Sequence, residues 1–275
     1  MGKIIAFANQ KGGVGKTTTC VNVATYMALM GKKVLILDMD PQGNATSGVG
    51  ISKTKDLKTI YDLIDGESAY EDVIKTTIVE NLYLIPSTVD LAGAEVELIA
   101  LPQREKIIKK ILDEIKASYD FILIDCPPSL GLITVNALTA SDSVLIPIQC
   151  EFFALEGLTQ LMNTIRLIKY REFNPNLDIE GVVMTMKDKR FNLTTQVSNE
   201  IVKFFKQKVY ITTIPRNVRL AEAPSHGLPV ALYDANSKGA EAYLSLTEEI
   251  LKRNKVPFTK ISKVRKIKFK GESDE

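Results

Sequence analysis

Two rhythms alternate along the chain. Short runs rich in Ile, Val and Leu occupy residues 3–8, 34–38, 82–86, 121–125, 143–148, 179–185 and 209–214, and each predicts a buried β-strand. Between them, apolar residues return at every third or fourth position. Cys20, Val23, Ala24 and Met27 make one such stripe, with Gly31 as a stop signal beyond it. Ile107, Ile108, Ile111, Leu112 and Ile115 make another, and Leu155, Leu158, Met162, Ile165 and Ile168 a third. Strands apolar on both faces, separated by amphipathic helices, predict βαβ units. The expected fold is therefore α/β: a mostly parallel, twisted sheet flanked by helices on both faces.

No internal repeat and no Pro/Gly/Ser-rich linker breaks this pattern, so residues 1–254 are expected to form a single domain. The composition shifts only near the end. From Lys252 to Lys270 every charged residue is basic, after which Glu272, Asp274 and Glu275 are acidic. Residues 255–275 are expected to be a basic tail, frayed or weakly ordered.

Composition removes several classes of function. No apolar run approaches the roughly 20 residues that span a bilayer. The apolar start is too short for a secretory signal, and Ala6 stands where a myristoylation signal needs Ser or Thr, so a cytoplasmic protein is expected. Cys20, Cys126 and Cys150 lack CxxC spacing and are expected to be buried, reduced thiols. A single histidine, His226, excludes a histidine-rich metal site. The net charge of +2 does not point to a polyanion, so any such partner must be sought in local clusters.

The chemistry begins directly after the first predicted strand, with Lys11-Gly12-Gly13-Val14-Gly15-Lys16-Thr17-Thr18. Glycines in such a loop let backbone N–H groups turn inward around phosphate oxygens, and the helix that follows aims its N-terminus at the same anion. Lys16 is then the point charge on the β- and γ-phosphates, and the Thr17 hydroxyl a ligand to Mg²⁺. Strand, loop and helix in this order identify the chain as a P-loop NTPase.

Two further strands end in acids. Asp38 and Asp40 lie two residues apart at the carboxyl end of the second strand, on one side of an extended segment. One can orient Mg²⁺-bound water and the other the attacking water. Asp125 closes the run Phe121-Ile122-Leu123-Ile124 and is expected to hold Mg²⁺ through water. Cys126-Pro127-Pro128-Ser129 follows as a stiff turn suited to sensing the γ-phosphate. Lys187, Lys189 and Arg190 form a basic cluster after the sixth strand, and Arg216 and Arg219 lie further on.

Gln10 replaces the first glycine of the standard loop, and Lys11 follows it. This resembles the deviant Walker A loop of the ParA/MinD superfamily. The strings Asp40-Pro41-Gln42-Gly43-Asn44-Ala45-Thr46-Ser47-Gly48, Asp125-Cys126-Pro127-Pro128-Ser129-Leu130-Gly131 and Ile214-Pro215-Arg216-Asn217-Val218-Arg219-Leu220-Ala221-Glu222-Ala223-Pro224-Ser225-His226-Gly227 are similar to the Soj branch of ParA-type chromosome-partitioning ATPases. The resemblance implies an ATP- and Mg²⁺-dependent cycle. Two ATP-bound copies form a sandwich dimer that grips double-stranded DNA without sequence preference, and a ParB/Spo0J-type partner stimulates hydrolysis, placing the protein on the nucleoid. It also assigns roles: Lys11 reaches the partner's phosphates, Asp40 orients the attacking water and Asp38 sits near the metal. Pro215 and Asn217 contact the adenine, and Lys189, Arg190 and Arg219 contact DNA. No membrane is expected to be a partner.

The main rival is a MinD-like positioning ATPase whose basic segment 263–270 docks on a membrane. An electron-transfer or synthetase enzyme on the same scaffold is a second. Against it stand the missing cysteine motifs around Cys126 and Cys150.

Overall fold

The computed structural model describes residues 2–151, 153–187 and 192–261. Its centre is a seven-stranded sheet in the order β3-β4-β2-β5-β1-β6-β7. The strands are β1 (Lys3–Phe7), β2 (Val34–Asp38), β3 (Lys75–Thr76), β4 (Leu82–Ile85), β5 (Phe121–Asp125), β6 (Ser143–Gln149) and β7 (Asp178–Thr185). All pairings are parallel except that of β3 with β4.

Period-two alternation sends successive side chains to opposite faces. Ile4, Ala6, Leu35, Leu37, Ile122 and Ile124 enter one core. Ile5, Phe7, Val34, Ile36, Phe121 and Leu123 enter the other. Helices cover both. On the second face lie α1 (Lys16–Leu29), the short α2 (Asn44–Gly48) and, late in the chain, helix 238–253. The first face takes its cover from the middle of the chain, where α3 (Ile60–Ile64), α4 (Tyr70–Val73), α5 (Leu91–Leu98), α6 (Ile107–Ile115), α7 (Leu132–Ala140), α8 (Ala154–Tyr170) and α9 (Asn192–Phe205) follow in order. The remaining helices are α10 (Val218–Glu222), α11 (Val230–Tyr233) and α12 (Lys238–Arg253). The α/β architecture expected from the pattern is the one observed.

Three expectations need correction. Residues 209–214 are not a strand. Tyr210 and Ile214 donate their amides to the Val182 and Met184 carbonyls of β7, but between them the Ile211 and Thr212 amides turn to the Glu249 carboxylate of α12, each at 3.0 Å. A side chain takes over the ladder where backbone would have continued it. Second, Leu155 faces solvent, and the buried stripe of α8 runs through Ala154, Leu158, Leu161, Ile165 and Ile168. Third, residues 255–261 of the expected tail join the packed body, while residues 262–275 lie outside the described residues. Val256, Phe258 and Ile261 lie against the second core, and the Thr259 amide donates to the Met30 carbonyl at 3.2 Å.

Candidate functional site

The carboxyl ends of β1, β2 and β5 meet in the middle of the sheet. Register pairs Phe7 with Asp125 and Asp38 with Asp125, so the loop after β1 and both strand-end acids share one edge. Asp38 and Asp125 follow the parity of Ile36 and Leu123, which places them on the α1 face. This is the face on which the glycine loop turns into helix.

The loop is anchored on both sides. The Asn9 side chain donates to the Pro147 carbonyl at 2.8 Å and accepts the Lys11 amide at 3.0 Å. The Thr185 hydroxyl donates to the Val14 carbonyl at 2.8 Å, tying the loop to the end of β7. Gly13 and Gly15 have φ of 73° and 85°, a left-handed conformation that side chains with a Cβ resist. Helix α1 then starts at Lys16 with no side-chain cap. Its first-turn N–H groups therefore remain available to an anion.

Lys16 is 6% exposed, and its ammonium donates to the Lys11 carbonyl at 3.2 Å. Burial pulls its pKa below the usual lysine value, against the attraction of Asp125 and Asp40. An ammonium so placed gains by meeting a phosphate.

The two strand-end acids differ sharply in surroundings. Asp38 is fully buried, and its oxygens accept three hydrogen bonds: the Thr46 amide at 2.8 Å, the Thr46 hydroxyl at 2.7 Å and the Asp40 amide at 3.1 Å. Burial raises its pKa to about 6 despite these bonds. Asp125 is equally buried, yet neither carboxylate oxygen has a hydrogen-bond partner. Burial, followed by the charge of Asp38, raises its pKa well above the carboxylate range; the nearby Thr17 hydroxyl opposes the shift without completing a hydrogen bond. Such an orphan carboxylate is the feature a hard cation would satisfy. Among the described residues no group of three or more His, Cys, Asp and Glu could hold a metal ion. A cation at Asp125 would therefore draw its other oxygens from Thr17, water and phosphate, as Mg²⁺ does in nucleotide sites. Asp40 begins the turn beyond β2, 7% exposed, and accepts the Gln42 amide at 2.9 Å.

The remaining predicted residues stand further out. Lys11 points away from the loop and pairs with Glu151 at 2.5 Å, with side chains 32% and 48% exposed. Thr18 lies in the first turn of α1 and lines a cavity of about 390 Å³, together with Thr17, Asn22, Asn44 and Ser47 and capped by Leu220, Pro224 and Pro229. Pro215 and Asn217 are not in its lining. Asn217 is the N-cap of α10, its side-chain oxygen accepting the Arg219 amide at 3.0 Å, which leaves its NH₂ donors and the second lone pair of that oxygen for a base. Arg219 pairs with Glu222 at 2.9 Å and Asp234 at 3.2 Å. Lys189 and Arg190 lie outside the described residues. His226 stacks on Tyr233 with ring centroids 4.9 Å apart.

Comparison with known proteins decides the family. The AAA domain family model matches residues 2–179. The sporulation initiation inhibitor protein Soj of Bacillus subtilis is 58% identical over 250 residues, which span 91% of this chain and 98% of that protein. The chromosome-partitioning ATPase Soj of Treponema pallidum is 51% identical, over 92% and 99% of the two chains. The chain belongs to the Soj/ParA family of chromosome-partitioning ATPases. A crystal structure of cobyrinic acid a,c-diamide synthase from Mycobacterium smegmatis, with bound ATP analogue and magnesium, superposes with a TM-score of 0.80 at 32% identity, over 93% of this chain and 96% of that one. The Soj/ParA scaffold is thus shared with a synthase. No helix among the described residues is long and apolar enough to cross a membrane.

Sequence reasoning missed the residues that support the site from a distance. Glu151 holds Lys11 from 140 positions away, and Thr46 holds Asp38. Thr46 lies within the Asp40-to-Gly48 string, but nothing in that string signals which carboxylate its hydroxyl meets.

Proposed function

We propose that this chain binds ATP with Mg²⁺ at the Lys11–Thr18 loop, dimerises around two nucleotides and, as a dimer, binds double-stranded DNA without sequence preference until a ParB/Spo0J-type partner triggers hydrolysis. The observation that carries the nucleotide half of this reading is the buried, unpartnered carboxylate of Asp125 beside a buried Lys16 and an uncapped helix N-terminus. Thr17 and Asp125 would hold the ion, with Asp38 adding negative charge beside it. The bound ion supplies neutralisation of charge on the β- and γ-phosphates.

The chain's own residues do the rest. Lys16 and the first-turn amides of α1 orient the phosphates. Asp40 orients the attacking water. Pro215 and the Asn217 side-chain amide meet the adenine. Lys11 leaves Glu151 for the phosphates of the second copy, a surface pair worth about 0–1 kcal/mol that is readily exchanged. There it acts as a finger in trans on the transferred phosphoryl group. Lys189, Arg190 and Arg219 contact DNA phosphates, for which Arg219 exchanges Glu222 and Asp234. The protein works in the cytoplasm, on the nucleoid.

DNA binding measured against salt, with ATP, with ADP and without nucleotide, tests this reading. Wild type is expected to bind only with ATP. Asp40→Ala is expected to accumulate as a DNA-bound dimer without turnover. Arg219→Glu is expected to dimerise but bind DNA weakly. Its log–log salt slope should be shallower by about 1.8, since each of two subunits then neutralises one phosphate fewer. A single copy in sedimentation under every nucleotide, for wild type and Asp40→Ala alike, overturns the proposal.

A further inference from the structure

One hydroxyl ties together three segments around the site. Thr46 lies on α2 and is fully buried. Its hydroxyl donates to Asp38 Oδ2 at 2.7 Å and accepts the Ser87 amide at 3.0 Å, while its own amide donates to the same Asp38 oxygen at 2.8 Å. A hydroxyl has a single proton. Spending it on the carboxylate leaves the lone pairs for Ser87, so both bonds coexist and each fixes the other's direction.

The turn carrying Asp40 hangs between these anchors. It leaves β2 at Asp38, whose Oδ1 accepts the Asp40 amide at 3.1 Å, and Asp40 in turn accepts the Gln42 amide through its side chain and the Gly43 amide through its carbonyl. Gly43 has φ of 58°, and a Cβ there would meet the Ser87 carbonyl oxygen at 2.4 Å. The turn therefore closes directly onto the segment after β4. Thr46 holds the far end of that closure, six positions beyond Asp40.

We propose that Thr46 is a positioning residue for hydrolysis: its hydroxyl, bridging Asp38 and the Ser87 amide, sets the place of the 40–46 turn and hence of the Asp40 carboxylate relative to the phosphates. Ser87 takes part through its backbone alone, since its own hydroxyl is buried without a hydrogen-bond partner. The proposal rests on the reading of Asp40 as the water-orienting group.

Thr46→Val keeps the shape and removes both hydroxyl bonds; Thr46→Ser keeps the hydroxyl. For Thr46→Val, kcat for ATP is expected to fall roughly 10- to 100-fold, the range that an ångström-scale misplacement produces, with nucleotide affinity changed less than about 3-fold. Thr46→Ser is expected to restore kcat to within about 3-fold of wild type, and Ser87→Ala to stay within about 2-fold, because it removes no hydrogen bond. A second readout is independent of turnover: amide hydrogen exchange of the nucleotide-free chain, in which Ser87 and the 40–46 turn are expected to exchange faster in Thr46→Val than in Thr46→Ser. Should Thr46→Val fail to fold, Thr46→Ala against Thr46→Ser makes the same comparison. Wild-type kcat and unchanged exchange in Thr46→Val overturn the proposal, as does a fall in nucleotide affinity that matches the fall in kcat. Asp40→Ala run alongside separates the two readings: wild-type turnover there removes Asp40 from the mechanism, whatever Thr46 does.

Discussion

Asp38 and Asp125 occupy matching positions on neighbouring strands, both fully buried and on the same face of the sheet. Their surroundings are opposite. Asp38 accepts three hydrogen bonds from the turn that follows it, and Asp125 accepts none. The chain has used the first acid to hold its own backbone and left the second without a completed hydrogen bond, with the Thr17 hydroxyl and the Lys16 ammonium nearby. Burying a carboxylate without a partner is unfavourable. Such a carboxylate is one that a hard cation would satisfy, which is the basis for proposing Asp125 rather than Asp38 as the ion's main protein ligand.

The largest effect that would test this contrast is on the ion. Asp125→Asn is expected to raise the Mg²⁺ concentration needed for ATP hydrolysis by about 10- to 100-fold, as loss of a group orienting a bound ion typically does. A magnesium titration of turnover measures it, and an unchanged midpoint would abolish the distinction between the two acids. Next comes stability, with opposite signs. Asp38→Ala leaves the Thr46 and Asp40 donors without their acceptor and is expected to destabilise the nucleotide-free chain by about 1–3 kcal/mol in urea unfolding. Asp125→Asn removes a buried charge that no completed hydrogen bond compensates, at the cost of its attraction to Lys16, and is expected on balance to stabilise the empty chain by about 1–3 kcal/mol.

The pH dependence sharpens the second of these. The folded chain holds the Asp125 proton above the pH at which the unfolded chain releases it, so protonation favours folding and stability is lost as pH rises through that interval. The advantage of Asp125→Asn over wild type should therefore be greater at pH 8 than at pH 6. Asp38 contributes with the same sign, but only between about pH 4 and its folded value of about 6. The smallest effect belongs to the periphery. Glu151→Gln breaks an exposed pair with Lys11 and is expected to change unfolding stability by less than about 1 kcal/mol.

What could be read from the sequence was whatever local pattern determines. The sheet's two-faced strands, the loop after β1 and the strand-end acids all follow from spacing within a few residues, and each stands where expected. Residues 209–214 look like a strand because their composition is that of one; the Glu249 carboxylate that interrupts the ladder comes from a helix nearly 40 positions later. The short helices α2 to α4 carry too few residues for a periodic stripe to show. The difference between Asp38 and Asp125 was equally hidden. Both read as an acid after an apolar run, and only the fold brings Thr46 and Ser87 to one of them.

Segment 209–214 also bears on how copies of the chain can meet. A sheet's outermost strands present unsatisfied amides and carbonyls that invite another chain to add on. Here one flank ends in β3, two residues long and antiparallel, and the other has β7 partly sheathed by Tyr210 and Ile214; Glu249 of α12 holds the Ile211 and Thr212 amides between them, and Arg253 lies 4.3 Å over the Tyr210 ring. Neither rim offers a long, bare template for lateral growth. Lateral growth into open-ended ribbons is thereby disfavoured, which suits the closed, nucleotide-bridged pair proposed above.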